Sequence, residues 1–77
     1  MMLDRVSGLI MATLKKDGVV INENTDLIAE LGLNSLDLAE LACAFEDEFS
    51  VEIPDRDIGK FHVVGDIVDY LNNKGRA

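Results

Sequence analysis

The chain of 77 residues is acidic, with 15 aspartates and glutamates against 7 lysines and arginines and a formal net charge of −8. This excess argues against nucleic acid and anionic membranes as partners, because both repel carboxylates, and favours partners with basic patches. The length suits one domain with one core, which we expect to span residues 1–77 and to be monomeric.

We expect a cytoplasmic protein without membrane insertion. The longest apolar run, residues 41–45, is far shorter than the about 20 residues of a membrane span. The N-terminus lacks the pattern of a signal peptide. Cys43 is the single cysteine, which excludes an internal disulfide and fits a reducing compartment.

The first third of the chain predicts one helix and a long loop. The helix runs from about Leu3 to Lys16 and ends before Gly18, with an apolar stripe of Leu3, Val6, Ile10 and Leu14. Residues 19–21 are β-branched but have no partner strand, so we expect an extended loop segment with Val19 or Ile21 at the core. Residues 27–31 predict one further helical turn.

The rest of the chain predicts three more helices. One begins after Asn34 and ends near Phe49, with Asn34 as N-cap and Asp37 placed for a capping box. A short helix is expected over residues 56–60, capped by Asp55, and a last one over residues 63–72. The inward stripe of the last helix comprises Phe61, Val64, Ile67, Val68 and Leu71. The prediction is an all-α, three- to four-helix bundle with a long structured loop between its first two main helices.

The second main helix has two apolar faces. At 100° per residue, one arc is predicted to be core and comprises Leu38, Leu41, Ala42, Phe45 and Phe49. Leu36, Ala39 and Cys43 fall on the far side, between acidic residues. Isolated surface apolar residues are common, but residues 37–57 hold eight acids and one base. That density favours a docking strip for a basic partner.

Ser35 is predicted at the first position of this helix, with an exposed hydroxyl. It could be an ordinary capping serine. A serine nucleophile needs a nearby base and acid, and the chain has one histidine, His62, and no G-x-S-x-G motif. Modification by another enzyme requires less, because a helix N-terminus accommodates an anionic product.

The sequence resembles the acyl carrier protein family over nearly its whole length. The resemblance is carried by LGLNSLD at residues 31–37, EL at 40–41, FEDEF at 45–49, EIPD at 52–55 and IVDYL at 67–71. It implies that Ser35 carries 4'-phosphopantetheine, transferred from coenzyme A by a holo-acyl-carrier-protein synthase. It also implies a non-catalytic phosphoprotein of lipid metabolism that holds acyl groups as thioesters in fatty-acid, polyketide or related synthesis.

The resemblance also implies partner-binding residues for acyl-transferring and condensing enzymes with basic patches. These are the acidic Asp37, Glu40, Glu46 and Asp47 and the apolar Leu36 and Cys43. Two alternatives remain open at this stage: an acidic helical adaptor without an arm, and a carrier of aminoacyl or D-alanyl groups.

The chain departs from the family pattern at three places. Asn34 replaces the usual aspartate before the serine. His62 and Val63 replace a threonine cap, so we expect that helix end to fray. Bulky side chains at positions 45, 58 and 61 should shrink any cavity between the helices, which predicts a specialised carrier that hides long acyl chains poorly.

Two further patterns predict no site. Residues 22–26 are rich in oxygen-bearing side chains, but leucines occupy the positions of the glycine and the bidentate glutamate that an EF-hand needs, so no metal site is expected. Cys43 has no cationic neighbour in sequence to activate it, so it is interpreted as an apolar contact or filler residue.

Overall fold

The computed structural model describes residues 2–15 and 18–74. Its helices are α1 (Met2–Leu14), α2 (Ser35–Phe49), α3 (Asp55–Ile58) and α4 (Val64–Lys74). Within those two ranges there is no strand, only an isolated antiparallel bridge between Asp26 and Val63. The predicted all-α bundle is confirmed. None of the helices in the described ranges is long and apolar enough to cross a membrane.

Helices α1, α2 and α4 pack around one apolar core with the loop before α2. Phe45 lies at its centre and is fully buried. All five residues of the stripe predicted for the last helix are buried, whereas only Val6 and Ile10 of the α1 stripe are. The buried apolar side chains are Val6, Ile10, Leu27, Leu31, Leu33, Leu41, Ala42, Phe45, Ile53, Phe61, Val64, Ile67, Val68 and Leu71.

The first helix ends earlier than predicted. Lys15 adopts a left-handed backbone with a φ of 55°, and a residue in that conformation cannot continue a right-handed helix. Lys15 therefore follows the last turn instead of lying in it, and Lys16 lies outside the described residues.

The long loop between α1 and α2 is anchored in the core. Val19 and Ile21 both pack against the core, while Val20 is 85% exposed. The predicted helical turn is present and is capped by Asp26, whose Oδ1 accepts hydrogen bonds from the N–H groups of Ile28 and Ala29 at 2.9 and 2.7 Å. This turn buries the three leucines at positions 27, 31 and 33.

Backbone hydrogen bonds tie the loop to the start of α4. Val64 N–H donates to the Thr25 carbonyl at 3.0 Å, and Gly65 N–H donates to the Glu23 carbonyl at 2.8 Å. Because these bonds take up N–H groups that have no acceptor within the helix, they anchor the N-terminus of α4 as well as the loop.

The expected fraying of the last helix is wrong. Asp66 Oδ2 accepts hydrogen bonds from the N–H groups of His62 and Val63 at 2.9 and 3.1 Å. An aspartate in the first turn thus caps the helix, although the residues that precede the helix have no capping side chain. These hydrogen bonds hold the pKa of the Asp66 carboxyl below its usual value, because they stabilise its charged form.

The short helix α3 also differs from its prediction. It begins at Asp55, one residue early, and ends at Ile58, with Pro54 at the N-cap and no side-chain cap. Asp55 is therefore a helical residue and not a cap. Proline fits this boundary because its fixed φ suits an extended residue before a helix. None of the α3 residues is buried, whereas the flanking Ile53 and Phe61 are buried.

Candidate functional site

The position of Ser35 is set by the capping box at the start of α2. Asn34 has an extended backbone, and its side-chain oxygen accepts a hydrogen bond from Asp37 N–H at 2.9 Å. In return, Asp37 Oδ2 accepts a hydrogen bond from Asn34 N–H at 3.1 Å. The predicted reciprocal box is confirmed, and it makes Ser35 the first residue of the helix.

Ser35 is exposed at the positive end of α2. The first N–H groups of a helix have no intrahelical acceptor, and together with the helix dipole they favour a negative charge. The helix start would therefore stabilise an anionic group bonded to the Ser35 hydroxyl.

A surface cleft of about 360 Å³ opens beside this serine. Leu38 and Ala39 line it from α2, and Asp55, Ile58 and Gly59 line it from α3 and the turn that follows. Side chains that are mostly apolar, with one carboxylate, could accommodate a flexible organic chain that starts at the serine. Phe45 and Phe61 are buried in the core instead, so of the three bulky side chains only Ile58 lines the cleft.

Within the part of the chain that the structure describes, Ser35 has no side-chain hydrogen bond to an imidazole or carboxylate. The backbone N–H of His62 donates to Asp66, and its exposed side chain makes no hydrogen bond to Ser35. In the same part of the chain, no group of three or more histidine, cysteine, aspartate or glutamate side chains is placed to hold a metal ion.

The outer face of α2 is apolar and acidic, as its sequence pattern predicts. Leu36 is 67% exposed, and Glu40, Cys43 and Asp47 are also exposed. Leu36 follows the serine directly, and the two exposed carboxylates lie further along the same face of α2.

Two of the predicted docking residues also hold the fold together. Asp37 is partly buried and closes the capping box. Glu46 is partly buried as well, and its Oε2 accepts a hydrogen bond from Ile53 N–H at 2.8 Å. This bond joins α2 to the segment before α3. The sequence reasoning missed this role of Glu46, because its hydrogen-bond donor lies seven residues away in an irregular segment.

Sequence reasoning also missed a polar contact behind α3. Tyr70 on α4 donates a hydrogen bond from its hydroxyl to Asp57 Oδ2 at 2.6 Å. Burial and this hydrogen bond raise the pKa of Tyr70 to about 12. The same bond, with help from nearby cations such as Lys60, lowers the pKa of the Asp57 carboxyl. The only sequence signal was the helical register of Tyr70, next to the core stripe.

Fold and site together define a small helical bundle with an exposed serine at a helix start. The family model for the phosphopantetheine attachment site matches residues 4–71. An acyl carrier protein of Bdellovibrio bacteriovorus is 40% identical over 73 residues, which cover 95% of this chain and 94% of the relative.

A solved structure from Mycobacterium tuberculosis, provisionally named an acyl carrier protein, superposes with a TM-score of 0.87 and 32% identity. The superposed region covers 95% of this chain and 97% of the solved chain. The chain belongs to the acyl carrier protein family, whose members are non-catalytic carriers bearing 4'-phosphopantetheine.

Proposed function

We propose that 4'-phosphopantetheine is attached to the hydroxyl of Ser35. The observation that carries this proposal is the position of this exposed serine, at the first residue of α2 and at the mouth of the cleft. The arm's phosphodiester would lie against the free N–H groups of the helix start, where a negative charge is favoured. When bound, the arm supplies a terminal thiol that holds cargo as a thioester.

The chain's own residues would position the arm without reacting with its cargo. Leu38 and Ile58 offer apolar contacts to its carbon segments, and the cleft limits the volume through which it moves. Asn34 keeps the capping oxygen that the family's usual aspartate provides, so the loss of one charge leaves the helix start intact.

We further propose that the outer face of α2 docks partner enzymes with basic patches, among them the holo-synthase and the acyl-transferring and condensing enzymes. Support comes from the exposure of Leu36, Glu40, Cys43 and Asp47. A central apolar contact ringed by charged pairs is a common arrangement of docking surfaces. Asp37 and Glu46 would contribute their remaining carboxylate oxygens.

The proposed cargo is an acyl intermediate of fatty-acid, polyketide or related synthesis in the cytoplasm. The dense acidity of α2 supports an acyl carrier over an aminoacyl or D-alanyl carrier. The core is filled by Phe45 and Phe61, which supports a specialised carrier that leaves a long acyl chain largely exposed. Core NMR shifts that move when a medium-length acyl chain is loaded would contradict this part of the proposal.

Intact-mass measurement tests the attachment. The apo chain is incubated with coenzyme A and a broad-specificity holo-synthase, and the expected product is heavier by one phosphopantetheinyl group. Ser35→Ala should gain nothing, while Ser50→Gly should be modified normally. Ser50 is the matched control, because it is an exposed serine at the other end of α2 in a left-handed conformation that glycine adopts without strain. A wild-type chain that gains no mass would favour an adaptor without an arm.

A further inference from the structure

The short helix α3 is held in place mainly from outside itself. Its four residues include no fully buried side chain, and its N-terminus has no side-chain cap. A four-residue helix is unstable alone, because the entropy cost of nucleating a helix exceeds the stabilisation from one hydrogen-bonded turn. The buried Ile53 and Phe61 anchor the chain on either side of it, so residues 54–60 form an arch between two anchors. We call this segment the α3 arch.

The α3 arch is one wall of the serine cleft. Asp55, Ile58 and Gly59 face Leu38 and Ala39 of α2 across it. Any displacement of the arch from α2 therefore changes the width of the cleft beside Ser35.

One side chain from outside reaches the middle of the arch. The hydroxyl of Tyr70 donates to Asp57 at 2.6 Å, and the Asp57 side chain is only 16% exposed. Hydrogen bonds to a charged acceptor are stronger than neutral ones. The Tyr70 ring is itself held edge-on against the buried Phe61, with centroids 5.3 Å apart and an interplanar angle of 78°. The donor is thus fixed to the core, while the acceptor lies on the arch, whose Ile58 is only partly buried against the core.

We propose that the Tyr70–Asp57 hydrogen bond is a latch that fixes the α3 arch against α2 and thereby sets the width of the Ser35 cleft. Tyr70 and Asp57 are positioning residues: neither lines the cleft, and both act through Ile58 and its neighbours. The importance of the cleft rests on the proposed attachment to Ser35, but the latch is a property of the unmodified chain and is tested there.

Amide hydrogen exchange of apo Tyr70→Phe tests the latch. The N–H groups of residues 57–61 all donate within the arch, so they report its opening, and the phenylalanine keeps the ring contact with Phe61. We expect their exchange to accelerate about 10-fold, as the loss of one charged hydrogen bond at a partly exposed site implies. Amides in the middle of α2, such as that of Phe45, should keep their rates under conditions where they exchange by local opening.

Two further variants and a distance readout separate the latch from a general loss of stability. Asp57→Leu should behave like Tyr70→Phe, whereas Asp69→Asn, which removes a negative charge from the exposed face of α4, should leave the arch unchanged. Relative to the wild type, the nuclear Overhauser effect between the methyl groups of Leu38 and Ile58 should weaken in both latch variants. It should be unchanged in Asp69→Asn.

Unchanged amide exchange in the arch of Tyr70→Phe would overturn the latch. An equal acceleration throughout the chain would also overturn it, because Tyr70 would then stabilise the whole fold and not the arch in particular. Intact mass after incubation with coenzyme A and the holo-synthase keeps the two proposals apart. If no variant gains mass, the attachment to Ser35 fails while the exchange data still decide the latch.

Discussion

Among the described glycines, Gly65, in the first turn of α4, is the one whose added methyl group would come closest to neighbouring backbone. A Cβ built on Gly65 would lie 3.0 Å from the carbonyl oxygen of Glu23 and 3.5 Å from the Cβ of Glu23. Its N–H already donates to that same carbonyl at 2.8 Å. The carbonyl is backbone, and it is held near α4 by the neighbouring bond from Val64 to Thr25, which opposes the shift of a few tenths of an ångström that the methyl group would need.

The expected effect of Gly65→Ala is a balance of two opposing contributions. Alanine gains about 0.5–1 kcal/mol over glycine from helix propensity, and forcing a methyl group into a filled site costs about 1–3 kcal/mol. The net prediction is a loss of roughly 1 kcal/mol in the free energy of unfolding. Gly8, in the middle of α1, has nothing within 4 Å of the point that an added methyl group would occupy. Gly8→Ala should therefore stabilise the fold by about 0.5–1 kcal/mol.

Urea unfolding followed by far-UV circular dichroism measures both variants against the wild type. For a domain of this size, each kcal/mol corresponds to about 4–8 °C in Tm, so the two alanine variants should differ clearly in thermal scans as well. If Gly65→Ala is as stable as Gly8→Ala, the Glu23 carbonyl makes room for the methyl group without cost, and the reasoning is refuted.

Four further predictions concern the caps, the titrating groups and the docking face. Asn34→Ala should lower the free energy of unfolding by about 1 kcal/mol, through loss of the cap on α2, whereas Asn34→Asp should keep it; chemical denaturation measures both. The raised pKa of Tyr70, about 12 against a usual 10, stabilises the fold fully below pH 10, and this contribution is lost as the pH rises from 10 to 12; a Tyr70→Phe chain should lack that part of the fall in denaturation midpoint. The lowered pKa of Asp66 gives the opposite sign, a contribution present above its usual pKa of 3.8 and lost on further acidification, which an Asp66→Asn chain should lack. Glu40→Lys should slow modification of the serine by the holo-synthase several-fold at low salt and less at high salt, while Asp69→Lys should not; equal rates for the two variants would contradict docking on α2.

The parts of the fold that were predictable from sequence are those set by local periodicity and local caps. The apolar stripe of α4 and the Asn34–Asp37 capping box depend on residues three or four apart, so the pattern contains them directly. The all-α class followed because the one β-branched run, residues 19–21, had no second strand to pair with.

The errors occurred where a residue outside the local pattern decides the outcome. The start of α4 looked uncapped because His62 and Val63 lack capping side chains, yet Asp66, inside the helix, accepts both of their N–H groups. The sequence signal for this arrangement is an acidic residue at the third position of the helix, because its side chain reaches the N–H groups three and four residues earlier. The Glu46–Ile53 bond had no comparable signal, because it depends on how the chain returns after α2.

The candidate site was likewise predictable only in part. The exposed serine at the start of a helix and the outer face of α2 could be predicted from helix geometry and charge. The cleft could not, because its second wall is α3, whose position depends on tertiary contacts with Ile53, Phe61 and Tyr70.

The bonds that lead from Leu33 to the segment before α4 also tie the residues just before Ser35 to a distant part of the chain. Leu33 N–H donates to the Leu27 carbonyl at 3.1 Å, and Leu27 N–H donates to the His62 carbonyl at 2.9 Å. If the arm is attached to Ser35 as proposed, a partner that draws the tethered group into its own active site would pull on the backbone two residues beyond Leu33. The two bonds would carry part of that pull to the buried Leu27 and to the segment that leads into α4, so we expect the residues before Ser35 to resist displacement during each transfer.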